Sequence, residues 1–465
     1  MAIDRIAESA QTRMQAADAG LLVRQKADWP KRIGFILLTS ITFPALLLWQ
    51  AWKTSSFTYK HWLATAFVTV YGSTIAIAYD PLGVGADGVR HLLHVYVHYV
   101  GLVFPQFLQE LGQIIALQEN ASPSRDVYKH VLSYIAGGVL GVPELFFPMV
   151  AFIYGYFFTG SLLIVFRNFG ATRLTYVFVG FAVLFFLAKN IEGVNTVRTW
   201  TGMWILVYAC LKYYETRRLG YALLMFVPPF IHFGYFMMAI PAWLVLAVGN
   251  WPRVFAVLFI LSSFTTFLNP GTVAEIVSTT ELGERATHSY FREEMRSREE
   301  ILQRSAERGQ RIWRTLNQFG LHKWALNILV FSLLIANVYS TVMNRYQKTI
   351  FSIGLLTITF SNATWYLYAL SNRSWLIGAV FILAAYLIAR QDPLTSRRLP
   401  NALPIYKYGI NIALVLFFPW FLFQLSVLFD FPSVFLLALP FMVLLSPEIN
   451  MSMKEGLRWL LGIGR

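Results

Sequence analysis

Arg198 is the residue whose placement most invites chemistry. It lies in Asn190-Ile-Glu-Gly-Val-Asn-Thr-Val-Arg198-Thr-Trp200, a polar link between two apolar runs. An ionised arginine facing hydrocarbon is costly, so it must meet water, a partner or an anionic ligand. Its planar fork suits a phosphate or pyrophosphate, held through two parallel N–H donors. An arginine that merely snorkels to the interface would look the same in sequence. Lys189 and Glu192 flank it as neutralising partners.

His232 sits in Pro228-Pro-Phe-Ile-His232-Phe-Gly234, where prolines and glycine break regular helix. An imidazole titrates near neutrality and can take a proton from an attacking hydroxyl. Bonded to a carbonyl that the prolines leave without a donor, it would be structural instead. Asp87, between Gly85 and Gly88, can bind hydroxyls or a cation, or simply cap a helix. Glu144 comes directly after Pro143 at the mouth of an apolar run, where the helix dipole favours a carboxylate. His91, His94 and His98 share one helical face and could in principle ligate zinc. The intervening Val, Leu and Tyr suit a lipid-facing amphipath better, and no metal or other cofactor is expected.

The elements that must position these residues are set by the solvent. Hydrophobic residues make up 57% of the 465-residue chain and charged residues 13%, about half the share in a soluble domain. Apolar runs of suitable length cover 33–52, 62–79, 143–166, 173–190, 197–214, 219–231, 234–248, 252–268, 322–344, 349–370, 374–390, 405–429 and 432–446. The expected fold is therefore all-α and polytopic, with about 13 transmembrane segments, twelve to fourteen. Residues 1–32 form a polar N-terminal segment, and 33–465 a single membrane domain without internal repeat. The first run is too long and bulky for a cleavable signal. Residues 87–118 are expected as an interfacial amphipathic helix, although 94–118 could instead cross the membrane. Residues 129–142 suggest a half-helix, and 270–321, dense in interleaved Glu and Arg, an extramembrane helical loop. The one cysteine, Cys210, allows no intrachain disulfide.

The net charge of +14 comes mostly from cations flanking the apolar runs, which speaks for membrane headgroups and against nucleic acid. Placing Lys53 and Lys60 inside puts Arg167, Lys212, Arg217, Arg218, Arg345, Lys348, Arg390 and Lys407 inside as well. Asp87, Arg198 and His232 then lie outside. Arg24, Lys26, Lys31 and Arg32 vote against this orientation.

In order and spacing these residues resemble the EpsG/Wzy-like exopolysaccharide and O-antigen repeat-unit polymerases, polytopic glycosyltransferases of the GT-C type. Gly85-Ala-Asp87-Gly-Val-Arg90-His91 looks like the family's G-x-D-x-x-x-Y element, with His91 in place of Tyr. Pro143-Glu144 looks like the glutamate that opens its next span. Asn195-Thr-Val-Arg198-Thr-Trp-Thr-Gly202 looks like its R-x-x-x-A/G element, and Pro229-Phe-Ile-His232-Phe-Gly234 like its histidine element. The likeness covers about residues 60–250; the C-terminal half carries no such motif.

The resemblance implies metal-independent, inverting glycosyl transfer at the outer face of a bacterial inner membrane. The donor would be an undecaprenyl-pyrophosphate-linked oligosaccharide and the acceptor a hydroxyl of a new lipid-linked repeat. Arg198 would hold the pyrophosphate and His232 would be the base. Asp87, Glu144, Arg90, His91 and Glu192 would bind substrate or orient these groups. Membrane lipid and a chain-length-regulating co-polymerase are the expected partners. A ligase moving glycan to another acceptor, or a flippase for lipid-linked sugar, would need similar residues.

Overall fold

A backbone removed from water must satisfy its own amides, and helix is the way a single segment does so. In the computed structural model the described residues are 29–75, 87–116, 118, 126–172, 174–264, 320–365, 367–400, 403–429, 432–445 and 451–462. Among them there are helices and no strands. In chain order the helices are α1 (Trp29–Thr42), α2 (Ala45–Lys53), α3 (Phe57–Ser73), α4 (Asp87–His94), α5 (Phe104–Ile115) and α6 (Val127–Ser133). Then come α7 (Phe146–Val165), α8 (Tyr176–Ala188), α9 (Thr199–Thr216), α10 (Leu219–Leu224), α11 (Pro228–Ile231), α12 (Tyr235–Met238), α13 (Ile240–Val248) and α14 (Pro252–Phe264). The C-terminal part holds α15 (Leu321–Ile335), α16 (Arg345–Ala363), α17 (Tyr368–Gln391), α18 (Pro393–Arg398), α19 (Pro404–Leu428), α20 (Phe441–Leu445) and α21 (Met453–Leu460).

Four helical segments, Pro143–Val165, Tyr176–Thr196, Ala369–Gln391 and Pro404–Leu428, are long and apolar enough to cross a membrane. Four shorter apolar ones, at Leu219–Ile231, Tyr235–Val248, Pro252–Phe264 and Leu321–Ile335, would each reach only about 20 Å at 1.5 Å per residue. Large apolar side chains stay exposed along the outside, Val415 on α19 at 71% among them. In hydrocarbon that exposure carries no penalty. Helix α17 is the converse case: its run from Ile377 to Leu387 is buried on every side. It pairs with α16 as a hairpin and also packs on α8, while α7 lies between α3 and α9, and α15 against α19. One continuous core joins them from Leu47 to Leu436.

Three of the expected segments are differently built. The run 33–52 is two helices, broken at Phe43-Pro44 because the proline ring removes an amide donor. The amphipathic stretch 87–118 is α4, a π turn at Val95–Tyr99 and α5, interrupted where Gly101 takes φ +80°. The run 432–446 is no span: Pro432 and Pro440 leave a 3₁₀ turn at Val434–Leu436 and the short α20. Most of the charged loop 270–321, and the polar segment up to residue 28, lie outside the described residues.

The bundle has two dissimilar ends. At one, Arg167 pairs with Glu215 at the end of α9, and the Arg390 guanidinium donates to Thr175 Oγ1 at the start of α8 over 3.4 Å. Gln391 Nε2 reaches the Val165 carbonyl at 2.6 Å, and Asn344 Nδ2 reaches Asp392 at 3.1 Å. At the other end stand the link between α8 and α9, the start of α17 and the broken helix around His232.

Candidate active site

Asp126 is the centre of the site. It occupies the N-cap position of α6, yet its carboxylate accepts nothing from the amides of that helix. Instead it pairs with the Arg198 guanidinium, accepts the Phe233 N–H at 3.0 Å, and lies 3.3 Å from His232 Nδ1. Its side chain is 1% exposed. Burial alone would raise its carboxyl, but Arg198, then His232 and the Phe233 amide, hold it well below the usual carboxylate range. Asp126 is ionised throughout the working pH range.

Arg198 arrives by a strained route. The preceding Val197 has φ 57° and ψ −60°, and the Arg198 N–H bonds back to the Thr196 carbonyl at 2.6 Å. That is a γ-turn of the rare, strained hand, in a β-branched residue that ordinarily avoids positive φ. Strain of this kind persists only where surroundings over-determine the backbone. Tyr154 provides part of that: its hydroxyl donates to the Asn190 carbonyl at 2.5 Å and accepts from Trp204 Nε1 at 3.0 Å, tying α7, the link and α9 together. Asn190 caps the Glu192 amide at 2.9 Å, and Lys189 closes an ion pair with Glu192 at 3.0 Å.

His232 is held in place through Tyr235, three residues along the chain. Tyr235 donates its hydroxyl to the Thr199 carbonyl at 2.6 Å, and its ring lies where a Cβ on Gly202 would be, 2.6 Å from the nearest ring atom. Four residues after Arg198, only a residue without a side chain lets the histidine segment close on α9. Nδ1 faces Asp126, so hydrogen-bond pairing puts the ring proton there and leaves Nε2 as the basic atom. On that side Arg373, near the start of α17, brings Nη1 to 3.5 Å. Burial lowers the imidazole pKa, the bond to Asp126 raises it, and Arg198 and Arg373 lower it; the net shift is downward. The site thus favours the neutral imidazole.

Further cations close in. Lys129, one turn into α6, is buried, and burial followed by Arg198 and Arg90 pushes its ammonium down to about 8. His91 is lowered to about 2 by burial first and then by Lys129, Arg198 and Arg90, so it too is neutral. The α4 element meets the α8–α9 link through Gly88, whose N–H donates to Asn195 Oδ1 at 3.1 Å; a Cβ at Gly88 would collide with that oxygen.

The expected site residues thus divide. Arg198 and His232 meet across Asp126, with Arg90 and His91 in electrostatic reach. Asp87 opens α4, next to the Gly88 contact. Glu192 is spent on Lys189 and the link. Glu144 is exposed and accepts from the Tyr96 hydroxyl, which places it with the π turn after α4. His98 pairs with Glu110 at 2.9 Å and stacks on His94. Asp126, Lys129 and Arg373 are not among the site residues expected from the sequence. A signal exists for Arg373: it is a cation in the short turn between two apolar runs, on the side opposite the basic loops.

Compared with family models, with curated proteins and with solved structures, the chain matches none of them.

Proposed function

We propose that the protein transfers a glycan from a polyprenyl-pyrophosphate-linked oligosaccharide to a hydroxyl of a second lipid-linked sugar, extending a surface polysaccharide. The observation that carries this reading is one carboxylate, Asp126, holding a neutral histidine on one oxygen and an arginine on the other, with Arg373 at the histidine's second nitrogen. Such a constellation has a base and a cation cradle side by side, which glycosyl transfer to a hydroxyl from a pyrophosphate leaving group requires.

In the proposed step the acceptor oxygen attacks the anomeric carbon as the bond to the pyrophosphate oxygen breaks, inverting that carbon. The hydroxyl proton passes to His232 Nε2. Asp126 accepts the hydrogen bond from Nδ1 and stabilises the imidazolium that forms, as an orienting carboxylate does elsewhere. Arg198 and Arg373, with Lys129 and Arg90 behind them, take up the charge of the departing pyrophosphate. The reaction needs no metal. Exposed apolar flanks give the polyprenyl chain a place beside the bundle, and an inner membrane with this end outward and twelve to fourteen crossings is the matching topology. A ligase would use the same groups, so the acceptor offered in the assay separates polymerase from ligase.

The test is His232→Gln in the purified full-length protein. It keeps a hydrogen-bonding side chain beside Asp126, so melting should change little while extension of a lipid-linked repeat slows about a hundredfold or more. Full activity in the variant would remove His232 as the base.

A further inference from the structure

At the opposite end of the bundle lies a cavity of about 390 Å³ between α8, α17 and α19. Thr175, Tyr386, Arg390, Tyr406, Lys407 and Asn411 contribute polar groups to its lining, and no carboxylate lines it among the described residues. Tyr386 and Tyr406 are 0% and 2% exposed, and their hydroxyls lie against each other and against Arg390. With a guanidinium and an ammonium beside them, they form a ready donor set for an oxyanion.

Arg390 and Arg373 lie on the same helix seventeen positions apart, about 25 Å at 1.5 Å per residue. The cavity is therefore separate from the Asp126 site. Exposed large hydrophobic side chains flank the lining residues: Leu174 and Tyr176 beside Thr175, and Ile405 and Tyr408 beside Tyr406 and Lys407. A soluble anion would have no use for that rim, whereas acyl chains would lie along it.

We propose that this cavity binds the phosphate of an anionic phospholipid headgroup, with Arg390 and Lys407 as charge partners and the Tyr386 and Tyr406 hydroxyls as donors. Basic pockets between helices at the membrane surface are suited to such headgroups.

The experiment uses the full-length protein in nanodiscs of phosphatidylcholine with a minor share of phosphatidylglycerol, and reads lipid retained after extraction by native mass spectrometry. Retained phosphatidylglycerol should exceed its share in the disc. Arg390→Gln and, separately, the exposed Lys407→Gln should each cut that preference about fivefold, the scale of one basic residue near an anionic surface. Tyr386→Phe should weaken it further without loss of melting temperature in pure phosphatidylcholine. Unchanged preference in both charge variants would overturn the proposal. So would displacement of the lipid by inorganic phosphate at matched concentration, which would reassign the cavity to a soluble anion.

Discussion

The two ends of the bundle carry the same residue types and use them in opposite ways. At the basic end several side chains finish helices: Thr175 caps α8, Asn344 and Gln347 form a capping box on α16, and Asp392 caps α18. At the other end the N-cap positions of α6, α9, α11 and α17 are Asp126, Arg198, Val227 and Leu367, none of which makes a side-chain cap. Capping is worth about 1 kcal/mol per helix, and Asp126 forgoes it to face Arg198 and His232. The same end holds the strained Val197 and the short helices Pro228–Ile231 and Tyr235–Met238. A carboxylate withheld from a helix terminus, together with irregular backbone, marks the end where ligand chemistry is expected. At the basic end Arg167 pairs with Glu215 and Arg390 donates to Thr175.

The largest effect is expected for Asp126→Asn. A neutral amide cannot stabilise an imidazolium or hold Arg198 by charge, so transfer should fall about a thousandfold or more, the scale seen when an orienting carboxylate is neutralised. Leaving Arg198 and Lys129 without their buried counter-charge should also cost about 3 kcal/mol of stability. Rate and unfolding measured on the same preparation separate the two losses. Activity near that of the parent would make Asp126 a structural residue and erase the distinction between the ends.

How much of this is legible in the sequence depends on what each residue's neighbours reveal. Long apolar runs with one break at each end read nearly as built: 405–429 is helix Pro404–Leu428. Runs containing Pro44, Pro432 or Gly101 read as continuous because hydropathy averages over the residue that breaks the backbone. At the site, Arg198 and His232 are visible because each interrupts an apolar run. Asp126 lies instead in a polar stretch before a half-helix, where an acid reads as an ordinary cap; only the fold shows that it declines that role. The link through Gly202 and Tyr235 is invisible in sequence, since it is a packing event between separate elements.

The electrostatics of the Asp126 cluster set its pH dependence. With its folded pKa depressed below the free value of about 6.5, His232 remains a competent base as pH falls, so the acid limb of transfer should lie below that value. Because Asp126 raises His232, the residual activity of Asp126→Asn should have its limb at still lower pH. Lys129, held to about 8, should lose its charge first as pH rises, weakening donor binding on the alkaline side. Stability depends on histidines of the same end. His91 and His94 have folded values of about 2 and about 4, below their unfolded value, so the unfolded chain binds more protons on acidification. Their contribution is full above about pH 6.5 and is lost as pH falls through the folded values. Melting measured from pH 7 to 4 should decline throughout. A flat profile, or an acid limb above pH 6.5, would show that these histidines are not held neutral.

The smallest effect is expected at the other end. Arg167 pairs with Glu215, but their side chains are 45% and 25% exposed, and Lys212 stands 3.5 Å from the same carboxylate. The Arg167 and Lys212 cations both lie over the Phe57 ring, so either can take the other's place. Exposed pairs of this kind contribute about 0–1 kcal/mol, and a spare partner reduces the loss further. Arg167→Gln should therefore lower stability by about 0.5 kcal/mol, and transfer should be unchanged because nothing at this end touches the Asp126 cluster. Glu215→Gln should cost somewhat more, since it leaves two cations facing each other. A double-mutant cycle over Arg167 and Glu215, read by both melting and transfer, measures the coupling directly. A coupling energy comparable with that expected at Asp126, or a tenfold fall in transfer from either single variant, would mean that the ends are linked through α9 and that ion pairs at the basic end set the geometry of Arg198.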